Sequence, residues 1–166
     1  MPKNYSDYSD EISESIRNFL EDDDWNFDFD DEEGSFRFGL NLRRCKFKSI
    51  KYYIKVRESD YVVYAVCPLA ANVEDKEGTA RISELLHRIN YGMFIGNYEL
   101  DHRDGEIRYK CFVDCENSYP SNDVIRNSIY LPGHIYERFG NAIASVLFTD
   151  VSPEEAYIKA EDEAED

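Results

Sequence analysis

The sequence predicts a fold of the α+β class, an antiparallel sheet packed with helices in the order α-β-β-β-β-α-β-β-α-α. Three observations carry this. Apolar residues recur at helical spacing near the start of the chain, in its middle and over its last third. Between them lie segments of strict apolar/polar alternation, paired across short polar turns. One such pair, from Asn97 to Val113, carries matching charges on one face and matching apolar residues on the other.

The first helix is marked by Ile12, Ile16, Phe19 and Leu20, at i, i+4, i+7 and i+8. Its end is marked by Glu21–Asp24, an acidic run where the helix dipole disfavours anions. Trp25, Phe27 and Phe29 alternate with polar residues, and Phe36, Phe38, Leu40 and Leu42 alternate again after the Asp31–Gly34 turn. A second hairpin puts Ile50, Tyr52, Ile54 and Val56 on one face and Lys51, Tyr53, Lys55 and Arg57 on the other. Glu58–Asp60 make its turn, and Tyr61–Cys67 return until Pro68. Residues 76–93 form the second helix, through Ile82, Leu85, Leu86, Ile89 and Met93.

Asp104-Gly105 suits a two-residue type I′ turn, where both central positions need positive φ. That turn sets Arg103 opposite Glu106, Asp101 opposite Arg108 and Glu99 opposite Lys110, with Leu100–Tyr109 and Tyr98–Cys111 on the apolar face. Ser121 then caps a helix through Val124, Ile125, Ser128 and Ile129, which Pro132-Gly133 is expected to break or kink before Tyr136, Phe139, Ile143, Val146 and Leu147. Ser152-Pro153-Glu154-Glu155 joins an N-cap, a proline at the first helical position and a capping box, opening a short last helix.

The length of 166 residues fits one domain, residues 1–166, with acidic ends at about 1–8 and 160–166 expected to fray. Nineteen basic against 35 acidic residues give a net charge of −16, which argues against nucleic acid and anionic membranes as partners of the whole surface. The charge is unevenly placed. Residues 1–33 hold 13 acidic and 2 basic side chains, whereas residues 43–57 hold 7 basic ones and no acidic one. Residues 1–11 are polar and acidic, unlike a secretory leader, and no apolar run approaches a membrane span. The expectation is a cytoplasmic protein whose four cysteines, Cys45, Cys67, Cys111 and Cys115, stay reduced.

Candidate chemistry is sparse. Asp22, Asp24, Asn26, Asp28, Asp30 and Glu33 match EF-hand ligand spacing, but Phe27 stands where the loop needs glycine, so the segment reads as a strand with a wet acidic face. Cys111 and Cys115 lie about 13 Å apart along a strand, too far to share a metal, and the thiols read as small buried hydrophobes. His87, His102 and His134 share no nucleophile signature with a cysteine or serine, and no phosphate-binding glycine loop is present. No catalytic, cofactor or metal residue is therefore assigned. The residues best suited to contact a partner are Arg43, Lys51, Tyr53, Lys55 and Arg57, a basic band interleaved with aromatics that fits an acidic protein segment better than a nucleic acid on so acidic a chain.

Residues 85–110 resemble the YbjN domain family in Asn90-Tyr91, in Gly96-Asn97-Tyr98-Glu99 and in Asp104-Gly105-Glu106-Ile107-Arg108-Tyr109. Ser152-Pro153-Glu154-Glu155-Ala156 is similar to that family's closing segment, and Trp25 and Pro68-Leu69 fit its layout. The resemblance spans about residues 10–160. It implies a bacterial sensory transduction regulator with a fold like that of type III secretion chaperones, small acidic proteins that bind client segments and often dimerise. It brings no catalytic residues, and Asn90, Gly96 and Asn97 read as structural. The expected function is thus a non-enzymatic, chaperone-like protein-binding or regulatory module that forms a homodimer. The alternative is a small-ligand-binding or hydrolytic enzyme whose site is discontinuous in sequence.

Overall fold

The computed structural model describes residues 7–165. The elements are α1 (Asp10–Asp22), β1 (Phe27–Asp30), β2 (Ser35–Asn41), β3 (Ser49–Val56), β4 (Asp60–Ala70), α2 (Lys76–Tyr91), β5 (Asn97–Leu100), β6 (Glu106–Asp114), α3 (Asn122–Phe148) and α4 (Pro153–Glu165). Their order is the predicted one. All strand pairs are antiparallel, in the spatial order β1-β2-β3-β4-β6-β5. Of the end segments expected to fray, residues 1–6 lie outside the described residues, while α4 continues as helix to Glu165.

The helices form one layer on one face of the sheet. Their buried stripes meet Phe36, Ile50, Tyr52, Ile54, Tyr61, Val63, Ala65, Ile107, Tyr109 and Cys111, each at most 2% exposed. Local chemistry sets the helix starts, at Ser121 and Ser152 as the sequence implies. Ser9 accepts the Ile12 amide, Asp75 the Gly78 amide and Ser121 the Val124 amide, and Ser152 and Glu155 exchange both bonds of a capping box.

Helix α3 is the principal cover, and it runs 27 residues without the break expected at Pro132-Gly133. A proline inside a helix costs about 3 kcal/mol, yet both of these residues are buried against the sheet. A Cβ on Gly133 would lie 2.5 Å from Leu40 Cδ2, and one on Gly140 would lie 2.4 Å from Cys45 Sγ. The two glycines therefore let α3 sit closer than any side chain would allow. Tyrosine hydroxyls then pin it: Tyr52 donates to the Ile129 carbonyl (2.6 Å), Tyr136 donates to the Ala65 carbonyl (2.9 Å), and Tyr61 pairs with Ser128 (2.9 Å). Contacts along both halves of the helix offset the interrupted ladder.

Two further expectations are corrected. Strand β4 does not stop at Pro68 but continues to Ala70 through a register shift between Val66 and Ala70, a place where a proline without an N–H is tolerated. The β5–β6 hairpin does not use a two-residue turn. Glu99 faces Arg108, Tyr98 faces Tyr109 and Leu100 faces Ile107, a register displaced by two residues from the expected one. Asp101 closes the wider loop. Its backbone accepts the Gly105 amide (2.7 Å), its side chain accepts the Arg103 amide (2.8 Å), and the Gly105 carbonyl accepts the Ala71 amide (2.9 Å) at the end of β4. Strand side chains repeat every second residue, so a two-residue displacement keeps both faces intact.

In the observed register Glu99 receives Arg108 at 2.8 Å and also Lys110. Partial burial alone would raise the Glu99 carboxyl, but hydrogen bonds from Lys110 and Arg108 outweigh it and hold its pKa below the ordinary 4.5. The stabilisation this brings is complete above pH 4.5 and is lost as pH falls through the folded-state value. Arg108→Glu is expected to weaken the domain by about 1 kcal/mol or less at this partial exposure. In a urea double-mutant cycle Glu99→Arg should recover part of that loss and Asp101→Arg should not. Recovery by Asp101→Arg alone would restore the two-residue turn.

Candidate functional site

The face of the sheet away from the helices carries the side chains of opposite parity. Along one row Arg37 lies opposite Tyr53, Tyr53 opposite Tyr64, and Tyr64 opposite Lys110. In the row to one side, Lys51, Val66, Arg108 and Glu99 follow in register. In the row to the other side stand Lys55, Val62 and Phe112. Five cations thus surround two tyrosines at the centre of β2, β3, β4 and β6.

The rings and cations are in contact. Tyr53 and Tyr64 lie 6.2 Å apart with planes inclined by 22°. The Arg108 guanidinium sits 4.2 Å from the Tyr64 centroid, and Arg37 sits 5.5 Å from that of Tyr53. Each such cation–π contact is worth about 0.5–1 kcal/mol at an exposed site. The series Arg37–Tyr53–Tyr64–Arg108 therefore holds four long side chains upright across four strands. Phe112 is 52% exposed beside Val62.

Acidic residues border this platform rather than enter it. Asp28 faces Arg37 from β1, Glu99 faces Arg108 from β5, and Asp60 faces Asp114 at one end. Glu33, in the β1–β2 turn, meets Arg37 at 3.4 Å, and its carbonyl accepts Lys55 Nζ. Lys51 is exposed and makes no ion pair among the described residues. The platform is rich in donors and rings and poor in acceptors, which suits carboxylates together with apolar surface.

The structure gathers some of the sequence-predicted residues and separates others. Lys51, Tyr53 and Lys55 share the open face, with Tyr53 between the two lysines. Arg57 follows β3 and is engaged with Asp60 at 2.5 Å. Arg43 lies on the helical side. In the loop between β2 and β3, the Arg43 and Arg44 amides donate to the Glu137 carboxylate (2.5 and 2.7 Å), and the Lys46 amide donates to Asn141 (2.8 Å). Arg37, Tyr64, Arg108, Lys110 and Phe112 are the residues that sequence reasoning missed. Arg37 and Tyr64 meet Tyr53 through strands consecutive in sequence, whereas Arg108, Lys110 and Phe112 join the face because β6 inserts beside β4, which no local pattern reports.

Asn90 has a structural role. Its side chain accepts the Tyr98 amide (2.7 Å) and donates to the Tyr98 carbonyl (2.9 Å), filling the outer hydrogen-bonding edge of β5 as another strand would. The acidic run from Asp22 to Glu33 forms the end of α1, strand β1 and the following turn, as the strand reading expects. Burial pushes the Cys67 and Cys111 thiols up to about 12 and raises those of Cys45 and Cys115, so all four are held protonated at neutral pH. No histidine side chain among the described residues makes a hydrogen bond or ion pair. No group of three His, Cys, Asp or Glu among them could hold a metal ion. A hollow of about 960 Å³ beside α1 is lined by Asp10, Glu11, Asp31, Glu58 and Glu116 and by no histidine. Among the described residues, no helix is long and apolar enough to cross a membrane.

The sequence model of the YbjN family, described as “Putative bacterial sensory transduction regulator”, matches residues 13–145. That is most of the chain, which therefore belongs to this family. No curated protein matches it.

Proposed function

We propose that this member of the YbjN family is a non-enzymatic, cytoplasmic regulatory module that binds a protein segment on the open face of its sheet, in the manner of a chaperone, and works as a homodimer. One observation carries the reading. On a chain of net charge −16, five cations and two tyrosines are collected on a sheet face that no helix covers. Arg37, Arg108 and Lys110 pair with carboxylates at the borders of that face, whereas Lys51 makes no ion pair among the described residues and is open to an acidic partner. A cysteine nucleophile would need a lowered pKa, whereas burial raises those of all four thiols here.

The homodimer is supported by the turn between α2 and β5. Tyr91 and Phe94 there are almost wholly exposed and Ile95 is 60% exposed, an apolar cluster of the kind that association covers.

Lys51→Glu combined with Lys55→Glu should abolish affinity capture of the partner from cells while leaving the far-ultraviolet circular dichroism unchanged. Undiminished capture would assign these lysines to solubility alone. Light scattering at micromolar concentration should report twice the 19.5 kDa chain mass, and Phe94→Ser should return it to a single chain. A single-chain mass for the unaltered protein would remove the dimer.

A further inference from the structure

From the layout of the open face we infer the chemistry of its occupant: a short, extended, acidic protein segment bearing one large apolar side chain. This rests on the reading of that face as a protein-binding surface. The size of the occupant follows from the borders. From β2 to β6 the platform spans three strand spacings, about 14 Å, a length that about five extended residues cover. Beyond it stand Asp28 on one side and Glu99 on the other, with Asp60 and Asp114 at one end. A long polyanion would overrun these carboxylates and meet the chain's net charge of −16, whereas a short segment fits between them.

The composition of the occupant follows from the side chains. Lys51, Arg37 and Arg108 surround the centre and present only donors, so carboxylates are their natural complements. Tyr53 and Tyr64 form a continuous aromatic floor that extends, past Val62, to the half-exposed ring of Phe112. Burying one apolar side chain there removes apolar area from water on both partners. Strand β3 supplies Lys51 and Tyr53 and is central in the sheet, so recognition runs through these side chains and not through addition to an edge strand.

The test is fluorescence anisotropy with the full chain and a fluorescein-labelled acidic pentapeptide with a central phenylalanine. Binding should be saturable and should weaken as salt is raised. Replacing the central phenylalanine by serine should weaken binding several-fold. Tyr53→Ser with Tyr64→Ser should weaken it about tenfold, as should Lys51→Glu, whose exposed position keeps the test valid if the tyrosine pair fails to fold. Arg43→Glu with Arg44→Glu, on the helical side, should leave binding unchanged. Equal affinity for the serine peptide, or indifference to Lys51→Glu, would overturn the inference. Tighter binding of a single-stranded oligothymidylate would overturn it in favour of a nucleic-acid surface. No peptide binding at millimolar concentration, with partner capture still dependent on Lys51 and Lys55, would remove this occupant and leave the protein-binding reading standing. No peptide binding with capture indifferent to those lysines would remove both.

Discussion

Gly133 and Gly140 bring α3 into side-chain contact with Leu40, Cys45 and Phe47, and that approach sets the geometry of the domain. Once α3 is seated, the hydroxyls of Tyr52, Tyr61 and Tyr136 reach it from the sheet, and Glu137 and Asn141 reach back to the loop after β2. The other helices pack around it on the same side. A six-stranded sheet covered by a single helical layer has one dry face and one wet face, and residues at alternate positions must serve opposite solvents.

The wet face meets this requirement in an unusual way for so acidic a chain. Alternation could have been satisfied by carboxylates, which supply most of the charge elsewhere. Instead the interior strands place Arg37, Lys51, Lys55, Arg108 and Lys110 around two tyrosines, and the carboxylates stand at the borders. Solubility alone does not require that segregation, because intermixed charges would serve as well. That sorting is what supports the proposal of a charged partner for this surface.

The architecture was legible because it is written in short-range patterns. The stripe Ile12–Ile16–Phe19–Leu20, the alternation through β3 and the capping box at Ser152 each determine their element without reference to the rest of the fold. Misreadings arose where a tertiary contact outweighs a local rule. Pro132 stays helical because α3 is pinned to the sheet on both sides of it, and the β5–β6 turn widens because Asp101 and Ala71 capture its amides and carbonyl. The hairpin's charge pattern could not reveal the error, since Arg108 finds a carboxylate in either register. Half of the platform was likewise visible, in Lys51, Tyr53 and Lys55. Arg37 and Tyr64 stand on the strands beside β3, while Arg108, Lys110 and Phe112 come from β6, distant in sequence, and the contact of the β2–β3 loop with Glu137 of α3 holds Arg43 on the helical side.

The claim that the wet face is the working surface is tested most directly by nuclear magnetic resonance of the protein with ring-labelled tyrosine, titrated with the acidic pentapeptide. Tyrosines report on every region at once: Tyr53 and Tyr64 on the open face, Tyr61, Tyr109 and Tyr136 in the core, Tyr130 on α3 and Tyr91 at the exposed turn. The account predicts that the ring signals of Tyr53 and Tyr64 shift together and saturate together while those of the core, α3 and the turn stay in place. Movement of Tyr91 or Tyr130 with Tyr53 and Tyr64 unmoved would contradict it.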